Sequence, residues 1–433
     1  MTTSNIPLTT EGAALREQLR DARAQEDLLS HAFDGSRKIH VAGIGQAISA
    51  AYEQLRNAAA NTEEHLLLQQ AIRRFLKRNI SFFSKNPPKA LAEELIVELT
   101  QAGYLQNDTI AVDKIRLIDT AIAKSFAGFL TLRAAGVAQE RAINWTLDIL
   151  CVELEGLHNA ERSRQDVFIH FAYRHFKELF AEDAKKESFD HYDASLYIAT
   201  HRALLRSDVA NVRRDMLQLY RLTIASVPEY IEANQRIDKL YTNETTNRLT
   251  RAVSKYGAPF RVMRSMLADG IAFEDLMLDR EKFLSAFSAQ VEVEHKRTAD
   301  KLNRGVIKSI IFLFITKVII GLAIEVPYDI FLTGTVVWLP LAVNILFPPV
   351  YMALLRMSLK MPGRPNYVAI RDYVDGILYE TQNAKWHITP LKRVESSMPL
   401  TILYGLMFVV SFGAVVAVLS LLHFNFVQGV IFF

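Results

Sequence analysis

Lys317 lies within a long apolar stretch, and several polar residues that could pair with it follow in the chain. Glu325 and Asp329 come next, and Asn344 lies in a second apolar stretch. A cation at the centre of a bilayer costs at least about 2.5 kcal/mol on insertion scales, so such residues usually face protein or water and have a partner. One interpretation is an intramembrane polar group made of Lys317 with Glu325, Asp329 or Asn344. We favour the other, in which Lys317 extends along its helix to the membrane interface or the first span is shifted so that Lys317 lies near that interface.

Three prolines, Pro340, Pro348 and Pro349, fall within the second apolar stretch. Each proline lacks a backbone N–H donor and crowds the preceding helical turn, so we expect a kink or an interruption near Phe347 to Pro349. Broken helices at membrane depth pack against protein or line a wet cavity. Together with Lys317, an interrupted helix is typical of a transporter or pore component.

Two pairs have the Glu-x-x-His spacing that places a carboxylate and an imidazole on one helix face in di-iron bundles. They are Glu155 with His158 and Glu292 with His295. Because the chain has eleven histidines, roughly one such pair arises by chance. We therefore favour surface or capping roles for both pairs.

Two glycines in the stretch IHVAGIG, Gly43 and Gly45, have the spacing with which a dinucleotide-binding loop begins. The pattern needs a small residue where Ile48 stands, and helical sequence follows, so we interpret the glycines as a helix break. His170 and His175 lie among aromatic residues, which favours a packing role. No Walker A, His-Glu-x-x-His, Gly-x-Ser-x-Gly or Cys-x-x-Cys pattern occurs. The sequence nominates no catalytic residue, metal site or cofactor, and it does not favour an enzyme.

Three stretches in the last third of the chain are long and apolar enough to be transmembrane helices. Roughly 20 helical residues cross a hydrocarbon core about 30 Å thick, and these stretches cover residues 306–324, 336–355 and 400–422. The final stretch FNFVQGVIFF is apolar but too short to cross. We expect either an interfacial tail or part of a fourth transmembrane helix.

Basic residues flank these stretches unevenly. Four lie just before the first stretch, seven lie between residues 356 and 398, and none lies between residues 325 and 335. By the positive-inside rule, the N-terminal part and the long loop are cytoplasmic, and the short loop is on the other side. Met1 to Leu15 has neither the basic nor the apolar region of a signal peptide. We expect a multi-pass plasma membrane protein with a cytoplasmic N-terminal domain.

The first 304 residues predict an all-α domain. Apolar residues recur at steps of three and four, as in the stripe Ile115, Ile118, Ile122, Phe126, Phe129 and Leu130. We assign residues 1–278 to this domain, with a sub-boundary near residues 255–259. Residues 279–304 form a junction helix that continues into the first span and displays the domain rigidly, unlike a Gly/Ser linker. A fragment that ends near Asp279 should therefore fold by itself.

The membrane region, residues 305–433, contains one more predicted helix. Residues 366–381 carry an amphipathic stripe made of Ile370, Tyr373, Val374, Ile377 and Leu378. With Trp386 nearby as an anchor, we expect this cytoplasmic helix to lie at the membrane surface.

The charge distribution bears on the class of partner, and the cysteine content bears on disulfide formation. The net charge of +3 lies within residues 305–433, which contain nine Lys and Arg and six Asp and Glu. The electroneutral N-terminal part gives no reason to expect a nucleic acid partner, because that would need clustered basic charge. The single cysteine, Cys151, excludes an intramolecular disulfide and fits a buried apolar role.

These patterns favour an integral membrane protein that is a non-enzymatic scaffold or interaction protein. The expected partners are the lipid bilayer and other proteins, or a second copy of the chain. A transporter or pore component is the alternative, supported by Lys317 and the proline-rich second stretch. A membrane-bound helical enzyme is the third hypothesis, and a deep polar pocket with converging carboxylates or histidines would favour it. The ligand and the partner's identity do not follow from the sequence.

Overall fold

The computed structural model describes residues 6–33, 35–41, 64–82, 91–157, 162–185, 189–269, 272–359, 363–380 and 398–433. The described residues are helical and contain no strand, with β pairing limited to two isolated bridges. This confirms the predicted all-α class. Gly43, Gly45, Ile48, His158 and Trp386 lie outside the described residues.

The chain divides into two compact units. The first, here called the helical domain, contains Met1–Phe287 together with Ile370–Pro390. The second, here called the membrane unit, contains Ser288–Ala369 and Leu391–Phe433. The helical domain is therefore discontinuous in sequence, and the chain passes between the two units three times.

The helical domain is built from short and medium helices and one π-helical turn. In chain order they are Thr10–His31, Glu64–Phe82, Leu91–Gln101, Val112–Ala134, Gln139–Gly156, Arg162–Leu179, Ala181–Ala184, Phe189–Thr200, the π-helical turn His201–Leu205, Val209–Leu219, Val227–Tyr241, Glu244–Tyr256, Ala258–Ala268 and Phe273–Leu276.

The predicted apolar stripe near residue 120 forms part of the core. Ile118, Ile122 and Phe126 are buried, whereas Leu130 is 41% exposed and Leu132 is buried in its place. Successive helical residues are about 100° apart, so Leu132 continues the face of Phe129 where Leu130 leaves it.

An aromatic cluster around Phe260 joins two other helices. The ring centroids of Phe171, His175 and Phe176 lie 6.0, 5.2 and 5.1 Å from that of Phe260. His175 therefore packs against aromatic rings. Burial of its imidazole lowers the pKa of His175 to about 4, since the charged form is poorly solvated there.

A long helix, Arg280–Ile320, begins in the helical domain and ends in the membrane unit. In this helix Leu284, Phe287 and Val291 are buried, but Thr298 is exposed. The helix continues through a π-helical turn, Gly321–Glu325, into the helix Val326–Thr333. The remaining helices of the membrane unit are Trp338–Ser358, Met398–Leu421 and Phe426–Phe432.

Among the described residues, three helical segments are long and apolar enough to cross a membrane: Arg280–Leu332, Trp338–Ser358 and Thr401–Leu421. In the last one, Phe408, Val409 and Val410 are 65%, 66% and 63% exposed. Three successive helical residues point in three different directions. An apolar surface on all sides of a helix is what contact with lipid requires.

The expected interruption of the second span is not found. Trp338–Ser358 is one continuous helix with Pro348 and Pro349 inside it, and Pro340 lies in its first turn, where no intrahelical donor is lost. Helices in membranes tolerate proline because its φ is helical and neighbouring groups can satisfy the freed carbonyls. The irregular turn lies in the first span instead, at Gly321–Glu325.

The amphipathic helix Arg364–Leu378, here called the return helix, packs into the helical domain. Tyr373, Val374 and Leu378 are buried, and Ile370–Pro390 belongs to that domain. The expectation that this stripe lies on the membrane surface is therefore wrong. An amphipathic pattern shows that a face is covered, but it does not identify what covers it.

The end of the return helix pairs with the start of the chain. Thr9 N donates to Leu378 O at 2.9 Å, and the Thr9 hydroxyl donates to Ile377 O at 2.8 Å. A Cβ atom on Gly12 would lie 2.5 Å from Leu378 O, closer than any real side chain allows. Glycine at position 12 is therefore required by this close backbone approach.

Candidate functional sites

The polar residues that the sequence nominates in the membrane unit come together, with one addition, into a buried group. We call Lys317, Glu325, Asp329, Asn344 and Gln428 the polar cluster. Lys317 is half-buried, and the other four side chains are at most 1% exposed. The first span contributes Lys317, Glu325 and Asp329, the second span contributes Asn344, and the C-terminal helix Phe426–Phe432 contributes Gln428.

Asn344 links two parts of the polar cluster. Its Nδ2 donates to Glu325 Oε2 at 3.0 Å and to the backbone oxygen of Gln428 at 3.2 Å. Glu325 ends the π-helical turn of the first span. Because π-helical turns are often found at functional sites, the irregular backbone at Glu325 makes this residue a candidate functional residue.

Asp329 is held by several donors. Gln428 Nε2 lies 2.9 and 3.0 Å from its two carboxylate oxygens, Asn425 Nδ2 donates at 3.2 Å, and Val337 N donates at 3.3 Å. Asn425 and Gln428 also form a capping box at the start of the C-terminal helix. The polar cluster therefore fixes the C-terminal helix to the end of the first span.

Lys317 does not bond to the residues predicted as its partners. Its Nζ donates to the backbone oxygens of Ile431 and Phe432, the second at 3.4 Å. These carbonyls lie at the end of a short helix, where backbone acceptors lack intrahelical donors and a cation is favourable. Asn425 and Gln428 are not among the residues predicted from the sequence. Their Asn-x-x-Gln spacing is the signal that could have indicated a helix start.

Glu292 and His295 do not form a metal site among the described residues, and His158 of the other Glu-x-x-His pair lies outside them. No group of three potential metal ligands occurs in the part of the chain that is described. Glu155 Oε2 lies 3.5 Å from Arg162 NH1, and the His295 ring packs against Tyr367 with centroids 5.3 Å apart.

The helical domain contains a buried ionic network next to its π-helical turn. Arg162 NH2 and Arg214 NH1 donate to Asp215 Oδ1 at 3.1 and 2.7 Å. His201 is fully buried, and its Nδ1 lies 3.7 Å from Asp215 Oδ2. Burial lowers the pKa of His201 to about 4, although the nearby Asp215 carboxylate opposes this shift. The imidazole is therefore neutral at physiological pH.

The helical domain also contains a polar cleft of about 520 Å³, whose lining includes Arg73, Asp148 and Arg213. Two of the three carboxylates that line it, those of Asp148 and Asp238, are held in ion pairs and hydrogen bonds. Asp148 Oδ2 accepts from Arg213 Nε at 2.8 Å, and Asp238 Oδ2 accepts from Trp145 Nε1 at 2.9 Å. Asp148 also pairs with Arg73. Carboxylates engaged in this way stabilise the domain, so the cleft does not favour the enzyme hypothesis.

A second cavity, here called the interhelical pocket, has a different character. It has a volume of about 470 Å³ and lies between four helices and the turn at residues 220–226. Its floor is formed by the buried residues Leu132, Thr146, Leu217 and Tyr230.

The rim of the interhelical pocket carries the charged groups. Lys124, Glu153 and Arg221 line the pocket and are exposed. Surrounding protein raises the pKa of Glu153, while Lys124 and Arg214 oppose that shift. The pocket thus combines an apolar floor with a rim on which basic groups outnumber acidic ones. Ligand pockets commonly have this combination and enclose roughly 300–1,000 Å³.

Comparison of the chain with protein-family models, with curated proteins and with solved structures finds no match.

Proposed function

We propose that this protein is a membrane-anchored, non-enzymatic binding protein whose helical domain binds a partner protein at the cytoplasmic face of the plasma membrane. The observation that supports the proposal is the interhelical pocket, an apolar cavity with a charged rim in a domain that is joined to membrane-spanning helices. The partner contributes an apolar side chain to the floor and an acidic group next to it. Lys124 and Arg221 on the rim favour that charge.

Gly128 provides a direct test of this pocket. A Cβ atom on Gly128 would lie 3.7 Å from Ile224 Cγ1, an ordinary contact distance. Gly128→Ala should therefore be tolerated, whereas the side chain in Gly128→Leu should occupy the pocket. A photoreactive residue at Thr223, on the rim, should cross-link the partner in native membranes for wild type and for Gly128→Ala. It should not do so for Gly128→Leu.

The same photoreactive residue at Leu28, which is 73% exposed and does not line the pocket, is the matched control. Equal cross-linking of the partner by wild type and Gly128→Leu at Thr223 would contradict the proposal. Recovery of a small molecule from the purified wild-type protein, but not from Gly128→Leu, would replace the protein partner with a soluble ligand.

The orientation can be tested separately with single cysteines. Cys151 is 1% exposed and should label poorly, so a cysteine introduced at Thr333 or at Leu28 would dominate the signal. With the N-terminal domain in the cytoplasm, an impermeant thiol reagent applied outside intact cells should label Thr333→Cys only. Labelling of Leu28→Cys from outside would reverse the orientation.

A transporter or pore component is a second candidate, favoured by the buried polar cluster in the membrane unit. Three helices enclose little volume, so this function requires self-association of the chain. Its test is flux of ions or small solutes into liposomes that contain the purified protein. Flux that disappears when the polar cluster is mutated would place this function ahead of partner binding.

A further inference from the structure

Two oxygen atoms of the polar cluster are buried without a hydrogen-bond donor among the residues that the structure describes. They are Glu325 Oε1 and Asn344 Oδ1. Their side chains are 0% and 1% exposed and are hydrogen-bonded to each other through Asn344 Nδ2 and Glu325 Oε2. A buried acceptor without a donor is costly, and in a membrane the cost is not relieved by bulk water.

The two acidic residues of the cluster differ in the donors they receive. Both oxygens of Asp329 accept hydrogen bonds, from Gln428, Asn425 and the backbone of Val337. Glu325 accepts a single bond from a neutral amide. Several donors stabilise an ionised carboxylate, whereas one neutral donor leaves most of its desolvation cost uncompensated. The geometry suits an ionised Asp329 and a neutral Glu325.

Charge balance leads to the same assignment. The ionisable groups that the surrounding elements bring to Glu325 are Lys317 on the long helix and Asp329 on the helix that follows, while Asn344 and Gln428 contribute uncharged amides. With Lys317 and Asp329 ionised, a neutral Glu325 makes the cluster electroneutral. An ionised Glu325 would leave one uncompensated negative charge within the membrane, where ionised groups are expensive.

We propose that Glu325 is a proton-binding site, in which the carboxyl group carries a proton on Oε1 and donates it to Asn344 Oδ1. The proton comes from bulk solvent and forms the O–H bond of a carboxylic acid, so no other reactant is consumed. Asn344 Nδ2 already donates to Oε2, and the second bond closes a ring between an acid and an amide. Both unpartnered oxygens are then satisfied.

A metal cation fits the same two oxygens less well. Mg²⁺ and Ca²⁺ take about six to eight oxygen ligands, and only two unpartnered acceptors are found on these side chains. A proton that is bonded to Glu325 Oε1 and hydrogen-bonded to Asn344 Oδ1 needs only these two oxygens.

Proton release would affect the C-terminal helix. Asn344 also donates to the backbone oxygen of Gln428, so one amide connects Glu325 to that helix. After release, Oε1 and Oδ1 are two acceptors without a donor, and the Asn344 amide loses one of its bonds. Proton occupancy of Glu325 therefore favours the arrangement in which the C-terminal helix is bound to the first and second spans.

The proposal is tested by infrared spectroscopy and thermal unfolding of the full-length protein in detergent. Glu325→Gln places an N–H donor where the proposal puts the O–H, so it should keep the wild-type melting temperature at neutral pH. The wild-type spectrum minus the Glu325→Gln spectrum should contain the carbonyl stretch of a protonated carboxyl group. The melting temperature of wild type should fall as the pH rises, and that of Glu325→Gln should change less.

Asp329→Asn is the matched control, because it makes the same chemical change at a carboxylate surrounded by donors. It should lower the melting temperature and leave the protonated-carboxyl band in place. Absence of the band from the wild-type difference spectrum would overturn the proposal. A loss of stability in Glu325→Gln as large as that in Asp329→Asn would also overturn it, since Glu325 would then be ionised in the folded protein.

Discussion

The sequence identifies Lys317 as a candidate member of a polar group, but it does not identify the atoms to which Lys317 bonds. The apolar surroundings identify it as unusual, because a cation needs compensation at that depth. The acceptors that provide it are the backbone oxygens of Ile431 and Phe432, more than a hundred residues away in sequence. Spacing along a helix predicts neighbours within a few turns only, so this partner could not be derived from the local sequence.

We predict that Lys317→Leu destabilises the membrane unit, although it makes the first span more apolar. The change leaves two helix-end carbonyls without their donor, at a cost of about 2 kcal/mol. Thermal unfolding of the detergent-solubilised protein measures the effect. Lys308→Leu is the control, because Lys308 lies on the same helix and is exposed. An equal or higher melting temperature for Lys317→Leu would show that Lys317 only extends to the interface.

His201 makes the stability of the helical domain depend on pH. Its pKa is about 4 in the folded protein and about 6.5 in an unfolded chain, so the unfolded state binds a proton first as the pH falls. Stability is therefore lost progressively below about pH 6.5. From pH 7 to pH 5 the loss from this residue is about 2 kcal/mol.

We predict that His201→Phe reduces this acid sensitivity, because the replacement ring binds no proton. The measurement is the difference in melting temperature of the helical domain between pH 7 and pH 5, with the full-length protein in detergent. His31→Phe, at the end of the first helix, is the comparison at a surface site. An unchanged pH dependence in His201→Phe would mean that other groups control acid unfolding.

At the scale of elements, the return helix is held by a charged pair as well as by apolar contacts. Arg280 Nε and NH2 donate to the two oxygens of Asp375 at 2.6 and 2.5 Å. Tyr373 and His175 are joined by a 2.6 Å hydrogen bond. This bidentate ion pair fixes the orientation of the return helix as well as holding it to the long helix.

We predict that Asp375→Asn weakens the attachment of the return helix by about 2 kcal/mol. Asp375 is buried, but Arg280 is about a quarter exposed, so the cost should lie below that of a fully buried pair. Faster hydrogen exchange in residues 370–379 would measure the loss. Glu98→Gln removes the exposed ion pair with Arg78 and should have little effect. Unchanged exchange in Asp375→Asn would show that apolar packing alone holds the helix.

Helix positions were predictable from sequence, but helix contacts were less so. The amphipathic stripe of the return helix was identified with its apolar residues, because a period of three to four residues is a local property. The predicted partner of the stripe, the membrane surface, is wrong, because a membrane surface and a protein core both favour the same apolar stripe. Similarly, Pro348 and Pro349 predict an interruption of the second span, but Trp338–Ser358 is one continuous helix.

At the scale of the whole molecule, the helical domain is incomplete until residues from between the second and third spans join it. Tyr379 is 1% exposed, and its hydroxyl donates to Met277 O at 3.1 Å. Leu8 and Tyr379 also form a β-bridge. A domain boundary placed near Asp279 therefore leaves part of the core on the other side.

We predict that a fragment of residues 1–287 unfolds at a lower temperature than the same fragment mixed with a peptide of residues 364–380. The peptide covers apolar surface that the fragment alone exposes, and ligand binding to the folded state raises stability by mass action. A peptide with Tyr373 and Asp375 changed to alanine is the control. Equal melting temperatures with and without the intact peptide would show that the first 287 residues are a complete domain.

The return of Ile370–Glu380 to the helical domain also has a consequence for biosynthesis. When Phe287 has been made, residue 380 still lies 93 residues ahead, and two hydrophobic spans are synthesised in between. At about 5–20 residues per second this takes on the order of 5–20 s. During that interval the nascent domain exposes the surface that later contacts Tyr373 and Tyr379. Slow or failed insertion of the first two spans would therefore appear as aggregation or chaperone dependence of the helical domain.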